Sequence, residues 1–428
     1  MNIKIVKLSN GLPVIFVQSH DFPTLTTMLL VGAGSRYEDK KNNGIAHFFE
    51  HMAFKGTKKY PNAKIISETI DGIGGDFNAF TAKDHTGYWV KAPRSHFDTV
   101  IDLLSDMIRH PLLEPAEIER EKGVIVEEIN MYEDMPARKV GDIFDDIMFP
   151  GHPLGFDIAG TAKTVRTFSK STFSDYLTDH YHSSNTVLVI AGGIDHNGKG
   201  IDKYLSKIEK NLGSWGKHKK KRFVEFEYLQ KKPEIKIHYK KTQQAHIALG
   251  FRAFSQTDKR RYVLAVLAAI LGGSMSSRLF TELRERRGLC YYISTSRDLY
   301  EDTGYIVTQA GITNDFDKVQ KAVNLILKEH QNISQGKLEK AEIERVKEML
   351  KGRLLLSLED SHDAASFIGG RYLFEKELIN TDMIIQSLDK VTKDQIIETA
   401  KDIFLTSQLN LAVIGPFKKE GVKIEYGM

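Results

Sequence analysis

An α+β fold built twice is what this sequence predicts: two homologous domains, each a mostly antiparallel sheet with helices packed on it. Three observations point there. The chain has 428 residues, more than one domain ordinarily uses. Short runs rich in β-branched residues alternate with longer amphipathic stretches. The second half also echoes the first. Asp84-His85-Thr86-Gly87-Tyr88 resembles Glu301-Asp302-Thr303-Gly304-Tyr305 at an offset of 217 residues, and Ala116-Glu117-Ile118-Glu119-Arg120 recurs unchanged as Ala341-Glu342-Ile343-Glu344-Arg345 at 225. Phe168-Ser169-Lys170 matches Val391-Thr392-Lys393, and Gly192 matches Gly415, each glycine after four apolar residues, both at 223. Matches in one order at nearly constant spacing argue for a duplicated domain of roughly 200 residues. The expected layout is a domain over 1–215, a linker over 216–232 and a second domain over 233–428.

Met1–Lys7 alternates as a strand does and leads into Asn10-Gly11, a hairpin signal. In the first half Thr24–Val31, Tyr88–Ala92 and Thr186–Ala191 read as strands, and Ile65–Ile73, Phe97–Ile108 and Pro115–Tyr132 as helices. In the second half Ile235–Tyr239, His246–Phe251, Tyr305–Ala310 and Leu409–Ile414 read as strands, and Tyr262–Leu271, Asp317–Asn332 and Leu338–Leu358 as helices. One more helix is expected around residue 48. Asn42, Asn43 and Gly44 suit its amino end and Gly56 its carboxyl end. Ile45, Ala46, Phe48, Phe49, Met52, Ala53 and Phe54 make it apolar nearly all round, so it should be buried.

Composition excludes several classes. A formal net charge of +4 is too small to imply nucleic acid. No apolar run spans a membrane, and the amino terminus lacks the apolar core of a secretory signal. The single cysteine, Cys290, rules out an internal disulfide and fits a reducing compartment. A cytoplasmic protein without membrane or nucleic-acid partners is the expectation. Lys217, Lys219, Lys220, Lys221, Arg222, Lys231 and Lys232 form a basic run at the expected join, which reads as a solvated linker.

Chemistry concentrates in the buried helix. His47 and His51 are four residues apart, so both imidazoles lie on one face and can reach one metal ion. Glu50 projects from nearly the same face, a carboxylate able to take a proton from a metal-bound water. A buried His-His-Glu group without a partner would be costly, and a metal removes that cost. Catalytic zinc normally takes three protein ligands. On the helix expected over 115–132, Glu121 and Glu128 are seven residues apart and share a face, while Glu127 points elsewhere. Helix geometry alone leaves Glu121 as either a surface charge or a group that orients the histidines. The duplication adds an asymmetry. The second-half counterpart near Tyr262–Leu271 carries no His or Glu, and Glu128 falls on Arg353. Residues needed only for a shared fold should recur in both copies.

His47-Phe48-Phe49-Glu50-His51 followed 77 residues later by Glu128 resembles the pitrilysin/insulinase clan of zinc peptidases, family M16. The flanking Gly44-Ile45-Ala46, Met52–Thr57 and Glu127–Met131 fit as well, and the short length is similar to the bacterial and mitochondrial-processing-peptidase subfamily. The resemblance implies one Zn2+ per chain on His47, His51 and Glu128, Glu50 as general base, and Glu121 as support. It also implies a substrate-binding edge strand at Asn78, Ala79, Phe80 and Thr81. Read physically, such an edge captures extended peptide backbone by strand addition. In the second half it implies a substrate pair, Arg284 and Tyr291, for which Arg286, Arg287 and Tyr292 are competitors on composition. An arginine can bond a substrate carbonyl, and a tyrosine hydroxyl can support the oxyanion. The implied protein is a zinc metalloendopeptidase cleaving peptides or unfolded segments in an enclosed chamber formed by a homodimer. The rivals are a non-catalytic scaffold subunit of the same fold and a module that sequesters peptides uncut.

Overall fold

The computed structural model describes residues 2–18, 22–194, 199–377, 380–417 and 421–424. Its two compact units are each discontinuous in sequence. The first comprises residues 1–130, 156–224 and 356–379, and the second 131–155, 225–355 and 380–428.

The first unit holds a six-stranded sheet of β1 (Asn2–Lys7), β2 (Pro13–Gln18), β3 (Thr24–Val31), β4 (Asp76–Thr81), β5 (Thr86–Pro93) and β6 (Thr186–Gly192), in the order β1-β2-β6-β3-β5-β4. Every neighbouring pair is antiparallel except β2 with β6, so the sheet is mostly antiparallel as expected. Along the first half of the chain run α1 (Ile45–Met52), α2 (Ala63–Asp71), α3 (Phe97–Arg109), α4 (Pro115–Glu133) and α5 (Pro136–Met148). Val14, Phe16, Leu29, Leu188 and Ile190 form one core with Phe48 and Phe49 of α1, Leu104 of α3 and Ile125 of α4. The opposite sheet face, with Ile15, Val17, Leu30, Val187 and Val189, packs against Ala365, Ile368 and Leu373. Those three belong to the helix Ser361–Glu375, supplied by the far end of the sequence. Burial on both faces explains why Leu188-Val189-Ile190-Ala191 reads as continuous apolar sequence rather than alternation. The helix lies so close that a Cβ on Gly369 would sit 2.6 Å from Leu30 and from Val189.

The second unit is built alike, with β7 (Glu234–Tyr239), β8 (Gln244–Ala253), β9 (Cys290–Leu299), β10 (Gly304–Thr313) and β11 (Leu409–Gly415) in the order β7-β11-β8-β10-β9. Only β7 and β11 run parallel. Here α5, from the first half of the sequence, covers a sheet face: Val140, Phe144 and Met148 cluster with Ala248, Val307, Ala412 and Ile414. Each sheet therefore receives a helix from the other half of the chain. Residues 217–232, the basic run included, have no regular structure, and Lys221 pairs with Asp179 at 2.7 Å.

Of the three residues expected to suit the amino end of α1 one is the cap, and at the carboxyl end the structure departs from the sequence expectation. Gly44, with φ +97°, is the N-cap, and no side chain of Asn42 or Asn43 caps the helix. A Cβ on Gly44 would lie 2.7 Å from the Ala159 carbonyl oxygen, so only glycine fits. Glu38 serves the exposed N–H groups instead. Its Oε2 accepts from Gly44 N at 2.8 Å and Asn43 Nδ2 at 2.9 Å, and its Oε1 accepts from Ala46 N at 2.9 Å. A carboxylate at a helix amino end also meets the positive end of the dipole. At the other end the helix stops at Met52. Gly56, with φ +140°, shapes the turn that follows.

Burial pushes the Glu38 carboxyl up to about 7, against the downward pull of the Ala46 and Gly44 N–H groups, the Asn43 amide and Lys83. Folding thus favours the protonated form, and the stability this contributes is full below about pH 4.5 and lost as pH rises through about 7. Glu38→Ala strands two helix N–H donors in a buried site and is expected to lower the unfolding free energy at pH 5 by about 2–4 kcal/mol in urea denaturation. It should also flatten the pH dependence of stability between pH 4.5 and 7. A variant matching the natural protein in both respects would show that the cap is dispensable.

Candidate metal centre

Packing fixes which way α1 faces. Ile45, Ala46, Phe48, Phe49 and Met52 are buried, leaving His47, Glu50 and His51 as the half-exposed stripe. Phe48 lies edge-on to Phe173 with ring centres 5.0 Å apart, and Phe49 edge-on to Tyr181 at 4.9 Å. Rotating the helix would lift both aromatic rings out of the core, a loss of several kcal/mol.

Helix α4 runs past that stripe. Glu128 Oε2 lies 3.6 Å from His47 Nε2 and 3.5 Å from His51 Nε2. Among the described residues, one ligand atom from each of these three side chains falls within 4.8 Å of the others. Separations of this size are too long for good hydrogen bonds. They are close to the spacing of ligands around a tetrahedral ion with bonds of about 2.0–2.2 Å. Two imidazole nitrogens and a carboxylate oxygen are also the donor types that suit zinc.

Glu121 stands one level behind, its side chain 2% exposed, with Oε1 2.9 Å from His51 Nδ1. Lys55 Nζ is 2.6 Å from Glu121 Oε2. Burial alone would raise the Glu121 pKa, but the His51 and Lys55 hydrogen bonds and charges outweigh it and hold the group below its ordinary value. Burial alone would lower the His51 pKa, and the Glu121 hydrogen bond with the charges of Glu121, Glu128 and Glu50 raises it instead. A carboxylate accepting from Nδ1–H leaves the Nε2 lone pair aimed at Glu128, the tautomer a metal ligand needs. Of the two roles helix geometry left open for Glu121, a surface charge does not match this burial. Glu127 is exposed and apart.

Glu50 Oε2 accepts a hydrogen bond from Thr81 Oγ1 at 2.5 Å. Thr81 ends β4, which pairs with β5 on one side and forms the outer edge of its sheet. Asn78, Ala79 and Phe80 lie on the same strand, and Asn78 is exposed. The remaining sequence-expected residues belong to the second unit. The Arg284 guanidinium carbon lies 4.9 Å from the Phe280 ring centre and 5.4 Å from that of Tyr291, a residue 72% exposed at the start of β9. The competitors are engaged elsewhere. Arg286 and Arg287 both pair with Glu282, and Tyr292 OH is 3.0 Å from His246 Nδ1. Sequence reasoning missed Glu38, Lys55 and the Thr81–Glu50 bond. Lys55 had a signal, since it follows His51 by four residues.

Comparison with known proteins gives matches over nearly the whole chain. The family model described as insulinase (peptidase family M16) matches residues 14–162, and that of the peptidase M16 inactive domain matches 167–350. A relative from Bacillus subtilis named uncharacterized zinc protease YmxG is 34% identical, covering 97% of this chain and 98% of its own. Another uncharacterized zinc protease, from Rickettsia felis, is 33% identical over 97% of this chain and 98% of its own. In solved structures the fold recurs in a protease from Helicobacter pylori, with TM-score 0.89, 22% identity and coverage of 97% and 100%. It recurs also in a peptidase M16 inactive domain protein from Pseudomonas fluorescens, with TM-score 0.86, 16% identity and coverage of 98% and 100%. The chain belongs to the insulinase family of peptidases, M16.

Proposed function

We propose that this protein is a zinc-dependent metalloendopeptidase that cleaves peptides or unfolded polypeptide segments within an enclosed chamber. The observation that carries the reading is the convergence of His47, His51 and Glu128, with Glu50 on the same face of α1. The one-sided distribution of these groups supports it: the helix Arg261–Gly272 of the second unit has none of them, and Arg353 stands at the position of Glu128.

His47, His51 and Glu128 would hold one zinc ion per chain. Bound there, zinc would supply the Lewis acidity that polarises a scissile carbonyl and makes a nearby water acidic. Glu50 takes a proton from that water on its carboxylate and later returns it to the departing amine. Glu121 keeps the His51 ring in its productive tautomer and orientation. The outer edge of β4 offers unpaired backbone groups to an extended peptide, so recognition reads backbone more than side chains. Arg284 and Tyr291 donate hydrogen bonds to substrate. Because one chain carries both the metal group and the Arg–Tyr pair, a homodimer is the economical assembly. A cytoplasmic location is proposed with it; among the described residues no helix is long and apolar enough to cross a membrane.

Glu50→Gln is expected to keep its zinc, by elemental analysis, while peptide turnover followed by mass spectrometry falls about 10²–10⁴-fold. His47→Ala is expected to lose zinc and cleavage together. Wild-type cleavage by Glu50→Gln would remove Glu50 as the base, and a zinc-loaded natural protein that cuts nothing would favour peptide sequestration or a scaffold role. Glu121→Gln is expected to weaken zinc binding about 10–100-fold in competition with a chromogenic chelator. Unchanged affinity would leave Glu121 without the supporting role.

A further inference from the structure

We infer that Thr81 positions the general base: its hydroxyl fixes the Glu50 carboxylate from the strand that receives the substrate. This deepens the peptidase reading and rests on it. The resemblance places Thr81 among residues that touch peptide, whereas its hydroxyl is occupied by Glu50 Oε2 at 2.5 Å. That is a short, charge-assisted O–H···O bond.

The two partners differ in freedom. Glu50 is a long side chain on the half-exposed stripe of α1, and its carboxylate is swung by several rotatable bonds. Thr81 is β-branched and stiff at its first side-chain torsion. Its backbone is held on the β5 side and by the turn that follows. It pairs with Thr86 of β5, and the next residue, Ala82, donates its N–H to His85 O at 2.8 Å. Ser35 N donates to Ala82 O at 3.2 Å, and Arg36 N to Lys83 O at 2.9 Å. Arg36 Nη1 then closes a buried pair with Asp84 at 3.1 Å. The hydroxyl is thus a fixed post and the carboxylate a movable arm tied to it by Oε2, which leaves Oε1 to work on the water. A general base functions only within hydrogen-bond reach and angle of the proton it takes, so the tie acts on turnover. The same strand offers its outer edge to an extended peptide, so substrate backbone and base are placed by one rigid element.

The test compares the natural zinc-loaded protein with Thr81→Val, which keeps shape and removes the hydroxyl, and Thr81→Ser, which restores it. Steady-state kinetics on an unstructured peptide should show kcat lowered about 5–30-fold in Thr81→Val with KM within about twofold, and Thr81→Ser within about threefold of the natural protein. Zinc content should be equal in all three. Crystal structures should show the Glu50 carboxylate in one position in the natural protein and Thr81→Ser, and displaced or in several positions in Thr81→Val. The inference is overturned by natural kcat in Thr81→Val, by a loss expressed in KM alone, by failure of Thr81→Ser to restore turnover, or by an unmoved Glu50 in the Thr81→Val crystal. A natural protein that holds zinc but cuts no peptide would sink the peptidase reading itself, and the crystallographic comparison then decides the role of Thr81.

Discussion

One buried helix of eight residues sets the terms for everything around it. Five of those residues are sealed in the core and the remaining three, His47, Glu50 and His51, are the polar ones. Phe48 and Phe49, gripped by Phe173 and Tyr181, leave a single rotation in which the core is filled and His47, Glu50 and His51 still reach outward. Close packing makes that choice discrete, because aromatic cores tolerate no intermediate twist without opening voids. The geometry of the histidines is therefore a by-product of how the phenylalanines pack.

Electrostatics then divides the labour among four carboxylates near that helix. Glu38 sits at its amino end and is so enclosed that burial works against its charge. Glu121, just as enclosed, is kept ionised because Lys55 and His51 both donate to it. Glu128 faces the two imidazoles, and Glu50 is tied by Thr81. The residue type is the same in all four cases, and the partners decide what each can do.

That His47 shares a helix face with His51, and Glu121 with Glu128, was readable because helical periodicity is a strong constraint: spacings of four and seven residues place side chains on one face whatever the tertiary fold. The doubled architecture was readable too, since Ala116–Arg120 repeats without change at Ala341–Arg345. Other features left no trace in sequence. Glu38 is six residues before the N–H it satisfies at Gly44, across an irregular segment with no period. Thr81 meets Glu50 from a strand whose approach depends on the whole sheet. Nor does amphipathic periodicity record destination: Val140 and Phe144 mark α5 as a helix needing an apolar surface, but not which of the two sheets supplies it.

That exchange of helices has a consequence for biosynthesis. A nascent chain emerges amino end first, yet Ile15, Val17, Leu30 and Val189 are covered by side chains from Ala364 to Leu373. Until the ribosome has made that late segment, the sheet beside the histidine-bearing helix shows one bare, greasy side to the cell. The front half cannot finish maturing on its own schedule, and a message cut short after the basic linker would yield a sticky fragment for chaperones and proteases to clear.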